Sequence, residues 1–192
     1  MIVEQNMVCN HCSLGCLHCP YASTEGEDYF PRQESISSEE DRVIHILTGG
    51  EPLESEAFGK WIESLLHEEA FFRIATAGFI PVHHWAKRLR GISHFLGFNV
   101  GTDLLTSRCS IDVKRREVWK RNWSLLRQEP GTWLTITLGE HVSPYDASRL
   151  VEYLRPHTVL MNSEWPIPVN ETNEIKAINE KVDYLYGYNL LR

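Results

Sequence analysis

Four of the chain's five cysteines lie in a span of eleven residues near the N-terminus. They are Cys9, Cys12, Cys16 and Cys19, in the pattern C-x2-C-x3-C-x2-C. Thiols separated by two or three residues rarely pair comfortably in disulfides, but they often converge on one metal centre. The pattern therefore favours a zinc site or an iron–sulfur cluster, and a disulfide framework is the weakest of the three interpretations.

The spacing argues against a common zinc module. The two C-x2-C knuckles of such a module are normally about a dozen or more residues apart, whereas three residues separate them here. A ferredoxin-type run is C-x2-C-x2-C-x3-C-P; this chain has a proline after Cys19 but orders its spacers differently. The remaining interpretation takes Cys12, Cys16 and Cys19 as three ligands. Three thiolates leave one iron of a four-iron cluster without a protein ligand, and an open coordination position is typical of catalytic metal sites.

A second unusual stretch, "TGGEP" (48–52), follows about thirty residues later. Gly49 and Gly50 allow the backbone to approach a neighbour closely, which a β-carbon would block. Glu51 adds a carboxylate suited to a ligand ammonium group. Taken alone, the stretch could also be an ordinary turn between a strand and a helix.

The elements around these stretches alternate between short β-like runs and amphipathic helices. Such alternation predicts about six strand–helix units with parallel strands joined by right-handed crossovers. The fold class is α/β, and a partial or closed barrel and a doubly wound open sheet both remain possible on this evidence. One domain over 1–192 is expected, with 170–192 as a C-terminal tail packed on the core. The predicted strands are 1–6, 43–50, 72–78, 91–101, 132–139 and 157–162, and the predicted helices are 55–70, 81–90, 113–128, 143–154 and 170–181.

Parallel α/β folds gather their sites at the C-terminal ends of the strands. The cysteine run follows the first predicted strand, and "TGGEP" follows the second. We therefore expect these two loops to lie side by side at one edge of the sheet.

Together, "CSLGCLHC" and "GGEP" resemble the two signatures of the radical S-adenosylmethionine (radical SAM) enzymes. The resemblance implies a partial (β/α)6 barrel over nearly the whole chain. It implies that Cys12, Cys16 and Cys19 hold a [4Fe-4S] cluster whose open iron chelates the amino and carboxylate groups of S-adenosylmethionine. One electron from the cluster would then give a 5′-deoxyadenosyl radical that abstracts hydrogen from a substrate.

The resemblance also implies further cofactor-binding residues. The loop of Gly49, Gly50 and Glu51 would contact the methionyl amino group, and His18 would lie near the adenine. The ends of the third and fourth strands would supply polar groups, although "CSID" (109–112) could be the end of the fourth strand instead. The candidates from these strand ends are Thr76, Asn99, Thr102 and Asp103, with Arg108 behind them.

Cys9 and His11 are extra potential ligands beside the trio. Cys9 could replace Cys12 only by breaking the x3/x2 spacing, so we expect it to be a neighbouring free thiol. No residue that acts on the substrate is predicted.

Composition limits the partners. The net charge of −7 argues against nucleic acid. No apolar run approaches the length of about 20 residues that spans a bilayer. The N-terminal residues do not resemble a signal peptide, so a cytoplasmic location is expected.

Only Cys109 follows residue 19 among the cysteines, so a second cysteine-ligated cluster is not expected. The resemblance then implies an external electron donor such as a flavodoxin or ferredoxin. A small core of this kind favours a peptide or protein substrate, in particular a ribosomal peptide. Activation of a glycyl-radical enzyme and small-molecule chemistry are alternatives, and a non-catalytic iron–sulfur electron carrier or binding protein is the alternative from a different class.

Overall fold

The structure is a computed structural model that describes residues 2–16, 19, 23–31, 43–106, 113–139, 142–163 and 184–186. Seven strands form one sheet: β1 Ile2–Cys9, β2 Val43–Gly49, β3 Phe71–Thr76, β4 Phe95–Gly101, β5 Trp133–Leu138, β6 Thr158–Ser163 and β7 Tyr184–Tyr186. Four α-helices lie between them: α1 Phe58–His67, α2 His83–Leu89, α3 Val113–Leu126 and α4 Pro144–Leu154. Two short 3-10 helices span Pro52–Glu54 and Asp103–Leu105.

The strands lie in the sheet in the order in which they occur in the chain, and every neighbouring pair is parallel. A doubly wound sheet reverses its strand order at a switch point, and this sheet has no reversal. Strands β1 and β7 are its two edges, so the barrel is partial. The predicted α/β class and the partial-barrel alternative are confirmed.

Helices α1 and α4 are amphipathic, and each packs its apolar side into the core. Helix α1 buries Phe58, Trp61, Ile62 and Leu65, which recur at helical spacing. Helix α4 begins as its sequence predicts: the Ser143 side chain accepts a hydrogen bond from the Asp146 amide, and the Asp146 carboxylate accepts one in return from Ser143. No helix of the described residues is long and apolar enough to cross a bilayer.

Element bounds differ from the predictions at several places. Strand β1 runs three residues further than expected, so Cys9 belongs to the strand. Strand β4 begins at Phe95 because Gly91, at φ +82°, and Ile92 form the turn that ends α2. Strand β7 was not predicted, and the predicted helix 170–181 lies outside the described residues.

The register between β1 and β2 sets the geometry of the site. Ile2 pairs with Val43, and the pairing continues to Cys9 and Gly49 after a shift beside Met7. Both strands therefore end at the same level. This places the cysteine loop beside the "TGGEP" turn, as the topology predicted.

Candidate cofactor site

A cavity of about 530 Å³ lies at the C-terminal ends of the strands. This volume falls within the usual range of small-molecule sites. The cysteine loop contributes Cys12, Cys16 and Cys19 to one side of the cavity. The remainder is lined by residues of β1 to β6, together with Leu14, Gly50, Ala77 and Asp103. The three predicted cluster ligands therefore share one cavity.

The thiols of Cys12 and Cys16 are buried, each residue being 8% exposed, and Cys19 is half-buried. Burial raises the pKa of the Cys12 thiol to about 12, and the nearby Glu51 and Glu54 carboxylates act in the same direction. Without a cation this thiol keeps its proton at neutral pH. A bound metal would displace the proton, because coordination deprotonates thiols.

The turn after β2 is pressed against the cysteine loop. The Gly50 amide donates to the Cys9 carbonyl at 2.9 Å, and the Glu51 amide donates to the His11 carbonyl at 3.0 Å. A β-carbon on Gly50 would stand 1.8 Å from the His11 carbonyl oxygen. Gly49 has φ +126°, which side chains rarely adopt. The glycines are thus required by the protein's own packing as well as by any ligand.

The Glu51 carboxylate is buried and directed at the end of β3. It accepts hydrogen bonds from the Thr76 hydroxyl at 2.9 Å, the Ala77 amide at 2.8 Å and the Leu53 amide at 3.2 Å. Burial raises the pKa of Glu51 to about 7, against the lowering effect of these donors. Within "GGE", Gly50 is the residue that lines the cavity. Gly50 therefore lines the cavity, and the Glu51 carboxylate holds two strand ends together. The contact of this loop with a ligand stays a prediction.

A clamp of three residues, Ser13, Glu54 and Arg115, fixes the cysteine loop from the other side. The Ser13 amide donates to Glu54 at 2.8 Å, and the Ser13 hydroxyl also donates to that carboxylate. Arg115, on α3, donates to the Ser13 carbonyl at 2.6 Å. The clamp ties the loop to two elements that are distant in sequence.

Asn99 is the best-defined of the predicted residues on β4. Arg73 donates through its Nε to the Asn99 Oδ1 at 2.8 Å, so the amide nitrogen of Asn99 remains for other contacts. The Arg73 guanidinium stacks on Trp133, 3.6 Å from the ring centroid. Burial lowers the pKa of Arg73 to about 10, which still leaves it charged at neutral pH. Asn99 also lines the cavity, and Arg73 fixes the position of its side chain.

The other predicted residues divide into three groups. Thr76 and Asp103 line the cavity. Thr102 does not, because its hydroxyl donates to the Thr135 carbonyl at 3.2 Å. His18 and Arg108 lie outside the described residues.

Strands β5 and β6 also contribute to the cavity, which was not predicted from the sequence. Trp133, Thr135 and Asn162 line the cavity. The buried Thr135 hydroxyl has no hydrogen-bond partner among the described residues. The alternation of "TWLTITL" contained the signal, because Trp133 and Thr135 lie two apart and so share one face of the strand.

Comparisons with known proteins agree with the topology. No family model and no curated protein sequence matches the chain. Among solved structures, Streptococcus suis SuiB bound to S-adenosylmethionine matches at a TM-score of 0.64 and 10% identity, over 94% of this chain and 46% of that one. Tagged anSMEcpe with bound AdoMet matches at a TM-score of 0.57 and 15% identity, over 91% of this chain and 54% of that one. Native anSMEcpe with bound AdoMet and Cp18Cys peptide matches at the same TM-score of 0.57.

The chain has the same fold as these structures, a partial α/β barrel of parallel strands. The likeness extends over more than nine-tenths of this chain, which spans about half the length of the solved structures it matches. At 10% to 15% identity it establishes the architecture and not the activity. The resemblance read from the two motifs and the fold observed in the structure therefore agree.

The described residues fit a radical SAM cluster with its cofactor. Cys12, Cys16 and Cys19 all line one cavity, which is large enough for a nucleoside-sized ligand. Asn99 and Thr135 also line this cavity and add polar side chains to its wall.

Proposed function

We propose that this protein is a radical SAM enzyme that binds a [4Fe-4S] cluster through Cys12, Cys16 and Cys19. The observation that carries the proposal is the convergence of these thiols on the cavity of a radical SAM fold. When bound, the cluster and S-adenosylmethionine supply one-electron chemistry that removes hydrogen from a substrate. A closed electron-transfer site needs no such cavity beside its ligands.

The chain's own residues would orient the cofactor. The Gly50 backbone and the Asn99 amide stand at different parts of the cavity wall. An amide N–H suits a carboxylate or hydroxyl oxygen, whereas the Asp103 carboxylate suits ribose hydroxyls. Trp133 provides an apolar, aromatic part of the wall that limits water.

The proposed substrate is a peptide or protein segment, in particular a ribosomally made peptide. One support is that a solved structure of similar fold, that of native anSMEcpe, holds a peptide together with AdoMet. Another is the partial barrel, since an unclosed sheet leaves room for an extended chain. Activation of a glycyl-radical enzyme and small-molecule chemistry remain the alternatives within the class.

The proposed electron source is a separate protein such as a flavodoxin or ferredoxin. Beyond residue 19 the chain has a single cysteine, Cys109, which is too few for a second cysteine-ligated cluster. The proposed location is the cytosol, because thiols stay reduced there and remain available to bind iron.

The test is anaerobic reconstitution with iron and sulfide, followed by dithionite and S-adenosylmethionine, with 5′-deoxyadenosine measured by chromatography. We expect product from the wild-type protein and from Cys109→Ala, and neither iron nor product from Cys16→Ala. A full cluster without product, and without any spectral change when S-adenosylmethionine is added, would instead favour the non-catalytic iron–sulfur carrier.

A further inference from the structure

A second group of potential metal ligands lies behind the cysteine loop. The ligand atoms of Cys9, His11 and Asp28 all stand within 4.8 Å of one another. Cys9 is fully buried, and the side chains of His11 and Asp28 are 18% and 20% exposed. We propose that these three residues form a second metal site, separate from the cluster, that takes a divalent ion of zinc type.

The backbone brings the three residues together. Asp28 lies opposite Cys9 in an antiparallel bridge. On either side of that bridge the Asn10 amide donates to the Glu27 carbonyl at 3.1 Å, and the Tyr29 amide donates to the Val8 carbonyl at 2.7 Å. The ligands are therefore placed by main-chain pairing, and they do not depend on a metal to find one another.

The side-chain geometry suits coordination. His11 Nε2 and Asp28 Oδ1 are 2.9 Å apart. Nitrogen and oxygen ligands about 2.0–2.2 Å from one tetrahedral zinc ion stand roughly 3.3 to 3.6 Å from each other, so an outward adjustment of about 0.5 Å admits the ion. The other Asp28 oxygen accepts a hydrogen bond from the Glu56 amide at 3.0 Å. Such an outer hydrogen bond orients a ligating carboxylate.

The donor set narrows the choice of metal. Zinc accepts sulfur, imidazole nitrogen and carboxylate oxygen as donors, whereas magnesium and calcium prefer oxygen alone. A tetrahedral ion needs a fourth ligand. The carbonyl oxygens of His11 and Glu51 lie 3.5 and 3.6 Å from the Cys9 sulfur. One of these carbonyls, or a water molecule on the same side, would supply the fourth ligand.

The site is distinct from the proposed cluster site. Cys9, His11 and Asp28 do not line the cavity that Cys12, Cys16 and Cys19 share. An ion here would join the end of β1, the segment around Asp28 and, through the Glu56 amide, the start of α1. Its role is to fix the base of the cysteine loop, and the proposal does not depend on cleavage of S-adenosylmethionine.

The test begins with anaerobically reconstituted wild-type protein that already holds its iron. Zinc chloride is added, unbound metal is removed, and zinc and iron are counted by mass spectrometry. We expect one zinc per chain in addition to the iron, and zinc X-ray absorption that shows one sulfur among nitrogen and oxygen neighbours. Zinc that is not retained, or that has only sulfur neighbours, overturns the proposal.

Variants provide a second readout. His11→Gln and Asp28→Asn preserve size and hydrogen-bonding capacity but weaken or remove a ligand, so zinc affinity should fall at least about tenfold with iron content unchanged. His84→Gln, at an exposed histidine on α2, should change neither metal. Unchanged zinc affinity in both ligand variants overturns the proposal. If a variant does not fold, the absorption spectrum of the wild-type protein decides alone.

Discussion

The Thr76 hydroxyl donates to the buried carboxylate of Glu51 at 2.9 Å, and this bond joins the turn after β2 to the end of β3. The glutamate of "GGE" is thus a part of the scaffold that holds two strand ends at the cavity. Its neighbour Gly50 is one of the residues that line the cavity. Substitutions in this turn therefore affect the shape of the site as well as any ligand contact.

Glu51→Gln should change how stability depends on pH. Because the pKa of Glu51 is raised from 4.5 to about 7 by burial, the folded protein binds a proton that the unfolded chain has already released. The free energy of unfolding of the wild type therefore falls as the pH rises from 4.5 to about 7. The loss is on the order of 3 kcal/mol relative to the Gln variant, at 1.36 kcal/mol per pKa unit.

Denaturant unfolding of the metal-free protein at pH 5 and pH 8 measures this difference. Other titrating groups cancel between wild type and variant. Glu63→Gln, on the exposed side of α1, is the matched control and should follow the wild type. If the free energy of unfolding changed equally from pH 5 to pH 8 in the wild type and in Glu51→Gln, the carboxylate would already be ionised at pH 5.

Gly50→Ala should disrupt the cysteine loop. The added β-carbon would meet the His11 carbonyl at 1.8 Å, and backbone cannot yield as a flexible side chain does. We expect a loss of about 1–3 kcal/mol or more of stability, together with poor iron retention. Gly59→Ala is the control, because its β-carbon meets nothing within 4 Å and should stabilise α1 by up to about 1 kcal/mol. Equal iron content in both variants would contradict the close packing of the two loops.

Asn99→Asp should weaken binding of S-adenosylmethionine without lowering the stability of the fold. The new carboxylate gains a charged partner in Arg73, so thermal stability should hold or rise. The donor that faces the cavity is replaced by an acceptor, so affinity for S-adenosylmethionine should fall about tenfold to a hundredfold. Calorimetric titration and thermal melting measure the two effects. Unchanged affinity would show that the Asn99 amide does not contact the cofactor.

Arg115→Ala should loosen the clamp on Ser13. The loop then loses a charge-assisted hydrogen bond at its carbonyl, worth about 1.5–3 kcal/mol. We expect iron to leave the reconstituted protein several-fold faster when a chelator is added. Lys120→Ala removes a cation from the exposed part of the same helix and should leave the release rate unchanged. Equal rates in the two variants would mean that the clamp does not stabilise the loop.

The strands and the two motif loops could be predicted because each is indicated by a short local sequence pattern. Alternating periodicity identified six strands, and the parallel topology then brought two loops together. The position of the "GGE" turn after β2 was predicted correctly. The hydrogen-bond partner of the Glu51 carboxylate was not, because it is set by the point at which β3 ends, and no local sequence pattern indicates that point. Thr102 shows the same limit, since its hydroxyl is directed at the backbone of β5. Asp28 could not be linked to Cys9 from sequence, because the segment that carries it returns to β1 without periodicity.

Hydrogen bonds from distant parts of the chain hold the described part of the cysteine loop. The segment around Asp28, the Gly50 turn, Glu54 and Arg115 meet it from four separate parts of the chain. A zinc finger, by contrast, owes its shape to the ion and unfolds without it. Under the proposed function, the cluster would be assembled onto a loop whose described part is already positioned by the protein's own hydrogen bonds. We expect that iron lost to oxygen damage could then be replaced in the same molecule without refolding of the protein.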